Sequence, residues 1–143
     1  MDEYDRTDCP HCGALFDPLP RAKKRCPACG QTVWVRSGPD GRRYILRQAD
    51  FAAHEARWEA HNERLAEAEA ARLNREAARL AREALRSYAE DGLRKVEMLG
   101  ADDACPACAA VVGRTFALSA APPIPVPGCS NEICRCDYLP VIE

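Results

Sequence analysis

The sequence predicts an α+β chain: two small zinc-stabilised, β-rich modules joined by a long Ala/Glu/Arg-rich helix. Three observations carry that prediction. The nine cysteines cluster at the ends, four within residues 1–48 and five within 92–143. Residues 49–91 hold no Cys, Gly or Pro and are dominated by Ala, Glu, Arg and Leu, all strong helix formers. The hydrophobic content of 47% is inflated by Ala, which buries little area, so small terminal modules need cross-links to fold.

The expected organisation is therefore a zinc ribbon with a β-hairpin over 1–48, a long charged helix over 49–91 and a small Cys-rich domain over 92–143. These segments carry formal charges of +3, −3 and −2. A net charge of −2 excludes a basic nucleic-acid coat. No apolar run approaches the length of a membrane span. The start, MDEYDRTDCPHC, is acidic and lacks an apolar segment, so no secretory leader is expected. A reducing, cytoplasmic setting follows from that expectation.

In the first module Cys9, Cys12, Cys26 and Cys29 form two C-P-x-C-G pairs. Thiolates three positions apart can face one ion if the chain turns tightly between them. Pro sets the turn, and Gly13 and Gly30 permit the positive φ that brings backbone N–H groups to the sulfurs. Two such knuckles give a closed site of four sulfurs, suited to Zn²⁺. The rivals are disulfides, disfavoured in a reducing compartment, and a redox pair, which would sit in a longer βαβ context. The segment from about 6 to 48 resembles a zinc ribbon. QTVWVRSGPDGRRYIL alternates and turns at Pro39-Asp40-Gly41, predicting a hairpin with strands near 32–36 and 43–47. Val33, Trp34, Tyr44 and Ile45 are its expected apolar contacts. His11, inside the first knuckle, is expected to be exposed. Arg21, Lys23, Lys24 and Arg25 between the knuckles could touch phosphates, but a solvated loop is the simpler reading.

For the middle segment, Asp50 is the expected N-cap and Gly92 the expected stop. A helix over these residues would be about 63 Å long. EAARLNR, EAARLAR and EALRSYA repeat every seven residues. Glu69, Glu76 and Glu83 align with Arg72, Arg79 and Arg86 in exposed pairs worth a few tenths of a kcal/mol each. Leu73 and Leu80 with Ala70, Ala77 and Ala84 form one expected seam. Phe51, Trp58 and Leu65 form an earlier one in a different register. The narrow stripe suggests a coiled-coil homodimer or a semi-rigid spacer. His54 and His61 are expected to be ordinary flank residues.

In the last segment Cys105 and Cys108 form a further C-P-x-C knuckle, the firmest ligands of a second zinc site. Cys129, Cys134 and Cys136 follow a Pro-rich loop over 122–127. Five thiols exceed a tetrahedral site by one. Cys134 and Cys136 would share a face in a strand, so either could complete the site. The rival is an unmetallated or redox-active thiol cluster.

These pieces come in a distinctive order: a strand at Lys95-Val96-Glu97, an acidic turn at Asp102 and Asp103, C-x-x-C, a turn and strand at Gly113-Arg114-Thr115-Phe116, the Pro-rich loop, then C-R-C and a final apolar strand. Over about 90–142 the chain resembles the C-terminal domain of phage Mu F-type head morphogenesis proteins, the minor capsid proteins. The resemblance implies that Cys134-Arg135-Cys136 matches the end of that family's His-Pro-x-Cys-Arg-Cys motif. Cys129 stands for the His, with Ser130 to Ile133 inserted, and the exchange keeps metal-ligand character. The family's long portal-binding region is replaced here by the ribbon and the helix.

No catalytic constellation emerges, and Asp102, Asp103, Glu132 and Asp137 are expected to be solvated. Two closed Cys sites leave no open coordination position, so the chain is not expected to be an enzyme. The first expectation is a non-enzymatic adaptor or scaffold that binds protein partners, of phage-related type. The alternative is nucleic-acid binding through Arg21, Lys23, Lys24, Arg25, Arg36, Arg42 and Arg43, with Trp34 and Tyr44 for stacking. Two Zn²⁺ on eight thiolates would leave a formal charge of about −6, so only a local patch could serve. A thiol enzyme would need a low-pKa Cys outside the metal sites, and the fifth C-terminal thiol is the sole candidate.

Overall fold

The computed structural model describes residues 7–142; the acidic start, residues 1–6, lies outside them. The chain forms two compact units, Met1–Leu65 and Ala66–Glu143, and the long helix contributes to both.

In the first unit β1 (Lys24–Arg25), β2 (Thr32–Ser37) and β3 (Arg43–Leu46) form an antiparallel sheet in the order β1-β2-β3. The predicted hairpin is β2–β3, with Val35 opposite Ile45 and Trp34 opposite Leu46. Its turn is closed by Gly38 N–H to Arg42 O at 2.8 Å and Gly41 N–H to Gly38 O at 3.0 Å. Strand β1 is an addition: Lys24 and Arg25, expected in a loop, pair with Val33 and Thr32.

Because side chains alternate across a strand, the hairpin has two working faces. Val33 and Ile45 pack with Cys9 and Cys26 in a small core. On the other face Trp34 meets Phe51 edge-on at 5.5 Å, Arg36 lies over Phe51 at 4.3 Å, and Tyr44 faces His54 at 6.3 Å. Thus the first turns of helix α1 (Phe51–Glu90) dock onto the hairpin. His54 Nε2 and Trp58 Nε1 both donate to Ser37 O at 3.1 Å. His54 is only 4% exposed, so it is an anchor rather than the flank residue expected.

Asp50 is not the N-cap. A 3₁₀ turn, Gln48–Asp50, precedes α1. The Asp50 carboxylate reaches back to the Arg47 backbone N–H at 2.8 Å and to its guanidinium at 2.8 Å. At its other end α1 stops at Gly92 as predicted. Gly92 N–H meets Ala89 O at 3.1 Å and Leu93 N–H meets Tyr88 O at 2.9 Å, which satisfies two carbonyls of the last turn.

The second unit holds β4 (Lys95–Leu99), a short turn of helix α2 (Pro106–Ala109), β5 (Thr115–Ala117) and β6 (Asp137–Pro140). The sheet is antiparallel in the order β5-β4-β6. Central β4 turns Val96 and Met98 inward, both fully buried, opposite Phe116 and Tyr138. Full burial of each such side chain stabilises the unit by about 1.5–3 kcal/mol. Onto this core α1 lays Ala77, Ala81, Leu85 and Tyr88, a stripe at helical spacing. Of the expected seam, Ala77 packs on this core and Ala70, Leu73 and Ala84 are half-buried, but Leu80 is 51% exposed and its neighbour Ala81 takes the buried place. The repeat's ion pairs form at Arg72–Glu69, 2.5 Å, and between Arg79 and both Glu76 and Glu83, 2.5 and 2.7 Å, whereas Arg86 makes no ion pair among the described residues.

Candidate metal centres

The first centre grows from the two C-P-x-C-G knuckles, which fold alike. Cys9 N–H bonds Ala14 O and Gly13 N–H bonds Cys9 O, each at 2.8 Å; Cys26 with Gln31 and Gly30 with Cys26 repeat both bonds at 2.8 Å. Gly13 at φ 75° and Gly30 at φ 72° adopt the left-handed turn. These bonds curl each knuckle around its two sulfurs. All four sulfurs, from Cys9, Cys12, Cys26 and Cys29, lie within 4.8 Å of one another. Cys9–Cys29 and Cys12–Cys26 are both 3.8 Å. A tetrahedron with metal–sulfur bonds of ~2.3 Å has edges of about 3.8 Å, so the donor set fits one tetrahedral thiolate-bound ion.

The site's electrostatics point the same way. The Cys29 amide, aided by that of Ala28, draws Cys26 down to about 7. The Ala14 amide also pulls Cys12 down, but desolvation and the neighbouring thiols outweigh it and push Cys12 up to about 12. Four thiols this close cannot all ionise together. A divalent cation removes that conflict and takes four thiolates.

The second centre draws on both α2 and the loop before β6. Its C-P-x-C pair is not a knuckle of the first kind. Ala109 and Ala110 follow Cys108 where glycine follows in the others, so the chain continues into α2, with Pro106 at its start. Cys105 Sγ lies 3.8 Å from Cys129 Sγ, and Cys108 Sγ lies 3.9 Å from Cys134 Sγ. Cys108 belongs to two triads, one with Cys105 and Cys129, the other with Cys134 and Cys136. Neither Cys134 nor Cys136 lies in a strand; both are buried in the loop that leads into β6. The Cys108 and Ser130 amides draw Cys105 down to about 6. Desolvation, reinforced by the four surrounding thiols, pushes Cys108 far up. All nine cysteines are free thiols.

Outside the clusters, His11 is exposed and approaches Thr32 O at 3.3 Å. No histidine joins a metal-holding group among the described residues. Arg21, Lys23, Lys24, Arg25, Arg36, Arg42 and Arg43 are all exposed. The aromatic side chains expected to stack on bases are otherwise engaged. Tyr44 is 2% exposed and its hydroxyl bonds Asp40. Trp34 is half-buried, with the Lys23 ammonium 5.3 Å over its ring. No described helix is long and apolar enough to cross a membrane.

Set beside family models, curated proteins and solved structures, the chain matches none. The resemblance of residues 90–142 to Mu F-type proteins therefore has no family match behind it.

Proposed function

We propose that the protein is a non-enzymatic adaptor whose two compact units are each built around a structural Zn²⁺ and which binds protein partners. The supporting observation is the closure of the cysteine clusters. Four thiols suffice to fill the first coordination sphere, and the second cluster offers five, in two triads that share Cys108, so a closed structural site can form in each unit. The sulfurs also extend the small apolar cores of the two units, since Cys9 and Cys26 sit in one core and Cys105, Cys108, Cys134 and Cys136 in the other. For the partner, the outward face of the second sheet offers Leu99 and Leu139, 41% and 46% exposed on neighbouring strands. A phage-derived scaffold is the finer form of this reading, and its support is the order of motifs over 90–142.

Nucleic-acid binding is the weaker reading, because the engaged Tyr44 and Trp34 leave charge without a stacking platform. The test is fluorescence anisotropy of the metal-loaded protein with labelled single- and double-stranded DNA and RNA across salt concentrations. The adaptor reading expects no binding at low salt. Binding that weakens steeply with salt, and disappears when Lys23, Lys24 and Arg25 are neutralised, would replace it.

A further inference from the structure

We infer that the second centre is closed by Cys105, Cys108, Cys129 and Cys134, that Asn74 on α1 is its positioning residue, and that Cys136 serves it through its backbone amide rather than its sulfur. The inference rests on the two-metal reading above and goes on to divide five thiols into four ligands and one bystander.

The Cys105–Cys108–Cys129 triad needs a fourth sulfur; Cys134 and Cys136 both lie within 4.8 Å of Cys108, and neither lies that close to all three members of the triad. Three observations select Cys134. First, the cross-pairs repeat those of the first centre. Cys9–Cys29 and Cys12–Cys26 at 3.8 Å have their counterparts in Cys105–Cys129 at 3.8 Å and Cys108–Cys134 at 3.9 Å. Second, backbone amides face the Cys134 sulfur, from Val126 and Cys136, as the Cys29 and Ala28 amides face Cys26. The largest influences on the Cys136 sulfur are burial and the neighbouring thiols of Cys108, Cys134 and Cys129. Such amides are the fixed partners that orient a thiolate toward its metal.

The third observation lies on the helix. Asn74 spends both ends of its side-chain amide on the loop that carries Cys134. Its Nδ2 donates to Glu132 O at 2.7 Å, and its Oδ1 accepts from Cys134 N–H at 3.0 Å. The amide pairs with that stretch as a neighbouring strand would, and it fixes the backbone at Cys134 itself. In the seven-residue repeat the position of Asn74 is that of Ala81 in the next copy. Ala81 is buried against the second sheet. Asn74 is thus the polar member of the stripe that faces this unit, placed where the stripe reaches the cysteine loop.

The experiment uses the full chain, reduced, stripped of metal and titrated with Co²⁺, whose visible spectrum reports the number of thiolates bound. Wild type is expected to take up two ions, each with a four-sulfur spectrum. Cys134→His should keep the second ion while its spectrum moves to that of three sulfurs and one nitrogen. Cys136→His and Cys136→Ala should leave it unchanged. Because histidine can still ligate, this pair does not depend on an emptied site remaining folded. A spectral change in a Cys136 variant without one in Cys134→His would overturn the ligand assignment.

Asn74→Ala should weaken the second site roughly ten- to a hundred-fold and leave the first unaltered. Asn74→Asp should do no better, since its carboxylate cannot donate to Glu132 O. With Cd²⁺ loaded, Asn74→Ala should move the second ¹¹³Cd resonance and not the first, which a merely structural loss would not do. An unmoved resonance with unchanged affinity would remove Asn74 from the centre. Uptake of a single ion by wild type would instead refute the two-metal reading itself, whatever the variants do.

Discussion

Gly30 follows the second sulfur of its knuckle at φ 72°, and nothing lies within 4 Å of where a Cβ would stand. Gly30→Ala therefore meets no clash, and its cost is the left-handed conformation alone, about 1–2 kcal/mol. We expect the metal-loaded first unit to lose that much stability in denaturant, with the second unchanged. The thiols make a second prediction at this scale. Cys12 holds its proton to about 12 before metal arrives, so loading at neutral pH must expel it. Metal affinity should rise with pH and fall on acidification. Calorimetric titration in buffers of different ionisation enthalpy should show protons released per ion bound. The first centre was legible because both its ligands and its turn residues lie inside two five-residue motifs. Asn74 was not, because its partners are 58 and 60 residues away and its side chain reads as an ordinary helix position.

The long helix shows what composition encodes and what it leaves to packing. Its extent, Phe51–Glu90, falls short of the expected 49–91 by two residues at the start and one at the end, since the absence of Gly and Pro and the presence of Gly92 define it locally. Its buried stripe depends on what it packs against. The repeat placed Leu80 in the seam, but the sheet buries Ala81 beside it. Two substitutions separate these readings. Leu80→Ala, at a side chain 51% exposed, should change stability by no more than ~0.5 kcal/mol. Ala81→Leu, at a position 6% exposed, should cost about 1–3 kcal/mol by overpacking. Thermal melts of the second unit would reverse this order if the Leu73–Leu80 seam were the packed one. Strand β1 escaped prediction because two residues carry no periodicity; it exists only through its pairing with β2. The docking of the helix onto the hairpin also carries a pH dependence. Burial lowers the His54 pKa below 6.5, despite the Ser37 carbonyl. The unfolded chain then takes up a proton before the folded one does. Stability from this group is complete above 6.5 and lost as pH falls toward the lower folded value. His54→Gln should flatten that part of the first unit's stability profile in urea melts between about pH 7.5 and 5.5.

At the scale of the whole molecule, the two units have separate cores, each including cysteine sulfurs. Neither core is large. The first has Val33 and Ile45 beside its sulfurs; the second has Ala81, Val96, Met98, Ile124, Val126 and Tyr138. Removing the ion leaves each cluster with thiols that must be desolvated as well as mutually crowded, and it removes the free energy that the metal contributes to folding. Strong chelation should accordingly unfold both units. Part of α1 should survive, because its Glu–Arg pairs and helix-forming composition act within the helix. Circular dichroism should fall and then level off at residual helix, while the β-sheet amide resonances disperse no longer. An unchanged spectrum after demonstrated metal loss would mean that the sulfurs are ordinary core residues. The two units should also fail separately. Cys26→Ser removes one ligand of the first centre and touches nothing in the second, where the helix is held by Ala77, Ala81, Leu85, Tyr88 and the turn at Gly92. In that variant amide exchange should accelerate over β1–β3 and remain slow over β4–β6. Acceleration at both ends would show that α1, which contributes to both units, transmits the loss from one to the other, and the chain would then be a single cooperative fold with two metals.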